Sequence, residues 1–223
     1  MTAPLTFYFD FISPYAWLGW SHIHALAERH QRPLELRPVL FAALLNRYGH
    51  LGPAEIPPKR EYVMKNCLRV GAEHGVVVRP PPSHPFNPLL ALRVACIEQP
   101  PERRRRVIQA LYEAVWAGGP GVTDPAVVVG LLDAALGGAR AGLDGAALVA
   151  AASTPEVKGR LKENTAAALA AGVFGVPTVI ADGELFWGFD AHPHLERFLE
   201  GRDAVDPALV EAWRDLPSTA QRR

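Results

Sequence analysis

A strand that runs directly into a proline-marked helix constrains this chain more than any other feature. Thr6 to Phe11, within Phe7-Tyr8-Phe9-Asp10-Phe11-Ile12-Ser13-Pro14-Tyr15-Ala16-Trp17-Leu18, has the aromatic-rich composition of a buried strand. Ser13-Pro14 then reads as a helix start, because Ser is a favoured N-cap and Pro fits the first turn, where an N–H has no partner to lose. A strand feeding straight into a helix leaves free N–H groups and the positive dipole end at the strand's carboxyl edge. That edge is where open α/β sheets bind ligands. The plainer reading is that Ser13 only caps a helix.

The remainder of the sequence narrows the class. At 223 residues the chain can bury a substantial core as one large domain or two intertwined ones. Hydrophobic content of 49% and zero formal net charge describe a soluble globular protein without general attraction to nucleic acid or anionic membrane. Arg103-Arg104-Arg105-Arg106, beside Glu102, reads as a solvated helix face. No apolar run is long enough to span a bilayer. No basic segment followed by an apolar run and a cleavage site opens the sequence, so a cytoplasmic location is expected. Cys67 and Cys96 show neither C-x-x-C nor metal-ligand spacing, so reduced helical cysteines and no metal site are expected.

Taken in order, Pro14 to Arg29 carries an amphipathic helical pattern, and Leu34 to Leu40 alternates as a strand, with Pro38 marking an edge. Ala42 to Pro58 reads as a loop. Lys59 to Gly71 is helical, and Arg79 to Pro85 reads as an extended crossing. Helices are expected over Pro88–Ile97, Pro101–Trp116, Pro125–Leu136 and Gly145–Ala152, the last within an Ala-rich tract from Ala139 read as a helix connection. Glu156 to Ala171 follows, stopped by Gly172. Val176–Ile180 and Glu184–Trp187 are strands joined by a tight hairpin turn, and Leu195–Leu199 supplies a last helix. The order is βαβ, a block of helices, then ββ and a helix. The fold class is therefore α/β with its middle interrupted by helices.

That order, with Ser-Pro at the first helix and Gly-Val-Pro-Thr before the third strand, resembles the thioredoxin superfamily. More closely, it is similar to the branch holding kappa-class glutathione transferases and 2-hydroxychromene-2-carboxylate isomerases. Four stretches carry the likeness: Phe9 to Leu18; Pro57-Pro58-Lys59-Arg60-Glu61-Tyr62; His84-Pro85-Phe86-Asn87-Pro88 with Ala91-Leu92-Arg93; and Gly172 to Thr178 with Phe186-Trp187-Gly188. The resemblance implies a DsbA-like thioredoxin domain made of residues 1–44 and 172–223, with a helical insertion domain at 45–171. It also implies a homodimer.

Thioredoxin-like oxidoreductases carry C-x-x-C at this helix start, since exchange needs a thiolate. Here the run is Ser13-Pro14-Tyr15-Ala16, which has no sulfur, so disulfide exchange at this position is excluded. A helix mouth and a hydroxyl remain, able to stabilise a thiolate that a ligand brings in. In the family that ligand is glutathione, and the matching Ser donates to its sulfur. A free thiol near pKa ~8.5 needs roughly 2.7 kcal/mol to drop by about two units. A charge-assisted hydrogen bond contributes roughly 1.5–3 kcal/mol and a helix end about 0.3–2, so together they suffice.

The resemblance further implies a cis bond before Pro177, turning the Val176 backbone toward glutathione's cysteinyl main chain like an added strand. It assigns Lys59 to a glutathione carboxylate, where the alternative is an exposed helix-start lysine. It assigns Asp190 to the γ-glutamyl amine, where the alternative is a helix cap. The family usually follows that Asp with Arg, and this chain has Ala191; it commonly has Asn where this chain has His50, which can still donate one hydrogen bond. Asn87 and Arg93 fall in the isomerase-like stretch, Arg93 either meeting a substrate carboxylate or forming a structural ion pair. Trp116 and Trp187 either wall an aromatic pocket or pack the core. The function implied is glutathione-dependent isomerisation of 2-hydroxychromene-2-carboxylate, or of a related small aromatic carboxylate from aromatic catabolism. The alternatives are a kappa-like transferase forming conjugates and a non-catalytic thioredoxin-fold binding module.

Overall fold

The computed structural model describes residues 2–138, 144–217 and 219. Strand β1 (Leu5–Phe9) leads to helix α1 (Pro14–Arg29) and strand β2 (Leu34–Pro38). Then come α2 (Phe41–Tyr48), α3 (Pro57–Glu73), α4 (Leu89–Cys96), α5 (Pro101–Trp116), α6 (Pro125–Leu136), α7 (Gly145–Ala151) and α8 (Pro155–Ala170). Strands β3 (Thr178–Ala181) and β4 (Glu184–Trp187), helix α9 (His192–Leu199) and helix α10 (Pro207–Arg214) complete the order. Short 3-10 turns stand at Pro53–Glu55 and Phe189–Ala191.

One mixed sheet has the order β2-β1-β3-β4. β1 pairs parallel with β2, from Leu5 opposite Leu34 to Phe9 opposite Pro38. β3 pairs antiparallel with β1 and with β4. Pro38 lacks an N–H and stands on the edge strand, where one ladder bond can be spared. Asp182 and Gly183, both at positive φ, turn the β3–β4 hairpin, the geometry whose twist matches that of paired strands. Arg32 grips the Asp182 carboxylate through both terminal nitrogens, at 3.0 and 2.7 Å.

Phe7, Phe9 and Phe11 are wholly buried with Trp20, Tyr112 and Trp116. Phe7 and Phe9 stack at 5.6 Å, while other pairs meet edge-on or tilted, as Phe11 and Tyr112 do at 4.7 Å, arrangements that ring quadrupoles favour. The principal core cluster takes residues from β1 and α1 and from α4 to α8 alike.

Three expectations require correction. Ala42 to Pro58 is not all loop: α2 forms there, burying Leu44 and ending at Gly49 in the left-handed region. Its first turn is held from a distance, the Phe41 N–H donating to Asp10 Oδ2 at 2.9 Å. Arg104 is not part of a solvated face; Nε donates to the Ala95 carbonyl and a terminal nitrogen to the Leu36 carbonyl, at 3.0 and 2.9 Å. Helix α10 follows Asp206-Pro207, the cap-plus-proline start also seen at Asp124-Pro125. Of the Ala-rich tract, residues 139–143 lie outside the described residues.

Candidate active site

The α1 mouth is built from its cap. Ser13 has extended backbone, and its Oγ accepts from the Ala16 N–H at 3.2 Å. Pro14 follows with no N–H of its own to satisfy at this end of α1, where the helix dipole is positive. On the other side, Ser13 Oγ donates to the Val176 carbonyl at 3.3 Å, longer than the mode of about 2.7–2.8 Å for O–H···O bonds. The hydroxyl thus stands between the helix mouth and the turn that leads into β3, and the residue is only 8% exposed.

The Val176–Pro177 peptide is cis. Gly19 of α1 lies against it: a Cβ there would stand at contact distance, 3.4 Å, from Pro177 Cγ. The Pro177 carbonyl accepts from the Gly188 N–H at 2.9 Å, which joins this turn to the segment carrying Asp190. Gly188, at φ +91°, is crowded by that residue, since a Cβ would lie 2.3 Å from Asp190 Oδ1. Gly175 likewise leaves space for Trp187, whose Nε1 would be 2.4 Å from a Cβ at that position. Trp187 is half-exposed, and its ring lies tilted beside that of Phe174 at 5.1 Å.

The other candidates stand as follows. Lys59 is exposed in the first turn of α3, and His50 is exposed just past the α2 cap. Asp190 is exposed in the 3-10 turn before α9. Asn87 Oδ1 accepts from the Leu89 N–H at 3.0 Å, just ahead of α4. Arg93 is half-buried, and its buried Nε has no hydrogen-bond partner among the described residues. Trp116 is fully buried, and its indole N–H donates to the Phe11 carbonyl at 2.8 Å.

Neither cysteine supplies a nucleophile. Both are buried and free, and burial pushes the Cys67 thiol up to about 12 and the Cys96 thiol up to about 11. Among the described residues no group of three or more His, Cys, Asp or Glu side chains is placed to hold a metal ion. Among them also, no helix is long and apolar enough to cross a membrane.

Sequence reasoning missed the residues beneath the site. Asp10 is wholly buried, with Oδ1 accepting from the Ile12 N–H at 3.1 Å and Oδ2 from Phe41. Burial raises its carboxyl to about 7, against the pull of those backbone N–H groups. His84 reaches in from the 79–87 crossing, its Nε2 lying 3.0 Å from the Ile12 carbonyl. The signal for Asp10 was a charged residue inside an aromatic run. His84 stands in one of the four stretches that carry the resemblance, but nothing local marked its contact with Ile12, which spans 72 positions.

A family model described as a DsbA-like thioredoxin domain matches residues 4–200, and the chain belongs to that family. Within it, the chain is 28% identical over 201 residues to 2-hydroxychromene-2-carboxylate isomerase of Sphingobium xenophagum, covering 89% of this chain and 99% of that protein. It is 29% identical over 214 residues to glutathione S-transferase kappa 1 of Rattus norvegicus, covering 91% and 93%. A solved structure of 2-hydroxychromene-2-carboxylate isomerase matches with TM-score 0.79 at 23% identity, over 96% of this chain and 99% of that one. That match bears on the fold alone.

Proposed function

We propose that this protein is a glutathione-dependent isomerase acting on 2-hydroxychromene-2-carboxylate or a related small aromatic carboxylate. The observation that carries the reading is a hydroxyl held between a helix mouth and a cis-proline turn, in a chain whose two cysteines are buried elsewhere. Relatives named as isomerases and as a kappa-class transferase support it.

The donor set suits glutathione's chemistry. Ser13 offers a hydroxyl to a sulfur, Val176 a backbone carbonyl to a cysteinyl amide, Lys59 a cation to a carboxylate and Asp190 an anion to an ammonium. His50 adds one ring donor. Bound glutathione would supply a recycled thiolate for reversible addition to a conjugated double bond. For its part Ser13 must release the Val176 carbonyl and turn its proton to the sulfur. The bond to be given up is the long one, so the exchange costs little. Val176, once released, is free to accept from a peptide lying against the cis-proline turn that precedes β3. The half-buried guanidinium of Arg93, without an ion pair among the described residues, is the cation assigned to the substrate carboxylate, and Trp187 offers an exposed aromatic face.

Removing one charge-assisted hydrogen bond of roughly 1.5–3 kcal/mol makes Ser13→Ala about 10- to 150-fold slower. Titration of thiolate absorbance should show the bound glutathione pKa rising by about one to two units, while calorimetry shows binding largely retained. An unchanged titration would remove Ser13 from the role. Supplying a chromene carboxylate with substoichiometric glutathione separates the two enzyme readings. Many turnovers per glutathione mark the isomerase, and stoichiometric loss of free thiol into a conjugate marks a kappa-like transferase. No heat at millimolar glutathione with an intact fold leaves a binding module.

A further inference from the structure

The turn that presents Ser13 is held in an unusually complete way. In the Phe11–Ile12 peptide, the N–H donates to Asp10 Oδ1 at 3.1 Å and the carbonyl accepts from Trp116 Nε1 at 2.8 Å. In the Ile12–Ser13 peptide, the N–H donates to the Asp10 carbonyl at 3.2 Å and the carbonyl meets His84 Nε2 at 3.0 Å. A carbonyl only accepts, so Nε2 is the protonated ring nitrogen. Each of the two peptide planes before Ser13 is therefore fixed at both edges. Pro14 has no N–H and can supply no such hold from the other side.

Both ring donors come from the helical block, and they brace each other. The His84 and Trp116 rings meet at 5.5 Å, edge toward face. The Arg79 N–H donates to the Trp116 carbonyl at 2.7 Å, which ties the crossing that carries His84 to the end of α5.

We propose that His84 and Trp116 are positioning residues: by pinning the carbonyls of Ile12 and Phe11, they fix the angle at which Ser13 presents its hydroxyl at the α1 mouth. A peptide plane free to rock would swing the Ser13 Cα–Cβ bond with it. A donor displaced by a fraction of an ångström stabilises an anion less well. The same two bonds occupy carbonyl oxygens whose partial negative charge would otherwise lie uncompensated just upstream of an anion site. The effect on a bound thiolate rests on the glutathione reading; the pinning of the turn does not.

His84 is the residue to change, because it is only partly buried whereas Trp116 is a core side chain. His84→Phe keeps a ring against Trp116 but removes the donor, and His84→Gln puts an amide N–H where Nε2 stood. Hydrogen exchange at the Ala16 and Trp17 amides, both of which bond back to Ser13, should run about three- to tenfold faster in His84→Phe and return toward the parent rate in His84→Gln. In the glutathione complex, His84→Phe should raise the thiol pKa by about half a unit with the dissociation constant changed less than about twofold, and Gln should restore it. Exchange unaltered by Phe, or altered equally by Phe and Gln, overturns the proposal. If the parent protein holds no glutathione thiolate while exchange responds as expected, the positioning stands and the cofactor reading falls.

Discussion

At the scale of single residues, Asp10 and His192 pull the stability of the fold in opposite directions as pH changes. An unfolded Asp ionises near pH ~3.9, whereas burial holds folded Asp10 near about 7. Between those values the folded state keeps a proton that the unfolded state has lost, so stability falls as pH rises, by about 4 kcal/mol if the whole shift is expressed. His192 is buried, with neither ring nitrogen hydrogen-bonded among the described residues, and desolvation, with His22 nearby, lowers it to about 4. Here the unfolded state binds the extra proton, so stability grows from pH 4 up to the ordinary histidine value near ~6.5. The two trends partly cancel in the parent. Asp10→Asn removes only the falling one, so its urea-unfolding free energy should gain on the parent by about 2–4 kcal/mol between pH 4 and 7.5. A difference between the two proteins that stays constant across that range would show that Asp10 does not titrate in this window.

At the scale of elements, the 187–191 segment is set by one glycine. Gly188, at φ +91° and ψ 162°, occupies backbone space open essentially to glycine alone. A side chain there would also strike the Asp190 carboxylate. Gly183 has φ +89° in the hairpin, with open space where a Cβ would go. Gly188→Ala and Gly183→Ala should each cost about 1–3 kcal/mol in thermal or urea unfolding. Only Gly188→Ala should weaken glutathione binding several-fold by calorimetry, because it alone displaces Asp190. Equal binding by the two variants would detach Asp190 from the ligand. The same scale shows what the sequence makes legible. Helices α1, α5 and α6 and strand β4 announce their ends through Pro starts, caps and apolar spacing, and Ser13 stands out because a cap-plus-proline follows an aromatic strand. Helix α2 does not announce itself, because the group that holds its first N–H, Asp10, lies 31 positions away. β3 begins at Thr178 rather than Val176 because the cis turn occupies the two residues before it. What local pattern leaves out is contact across distance, and His84 on Ile12 is of that kind.

At the scale of the molecule, the helices of 45–171 and the sheet do not keep separate interiors. One core cluster contains Phe7, Phe9 and Trp20 together with Leu92, Leu111, Trp116 and Leu132. Side-chain hydrogen bonds cross the same boundary: Trp17 Nε1 donates to the Val77 carbonyl at 2.9 Å, Trp20 Nε1 to Gln109 at 2.6 Å, and Asn66 to the Tyr15 hydroxyl at 2.9 Å. Chains longer than about 150 residues often unfold in stages, and a separable insertion would do so along this boundary. The shared core argues for a single transition. Leu111→Ala, at a wholly buried α5 position, should cost about 2–5 kcal/mol and lower the urea midpoint seen by helical circular dichroism as far as that seen by tryptophan fluorescence, with no change in slope. Hydrogen exchange should place the slowest amides of β1 and α5 at one common opening free energy, since breaking either exposes the other's aromatic partners. Separate midpoints, or amides in β1 that outlast those in α5 by more than about 1 kcal/mol, would mean that the helical block opens on its own. The grip of His84 and Trp116 on the Ser13 turn would then be lost before the sheet unfolds, and the site would fail at a lower denaturant concentration than the fold.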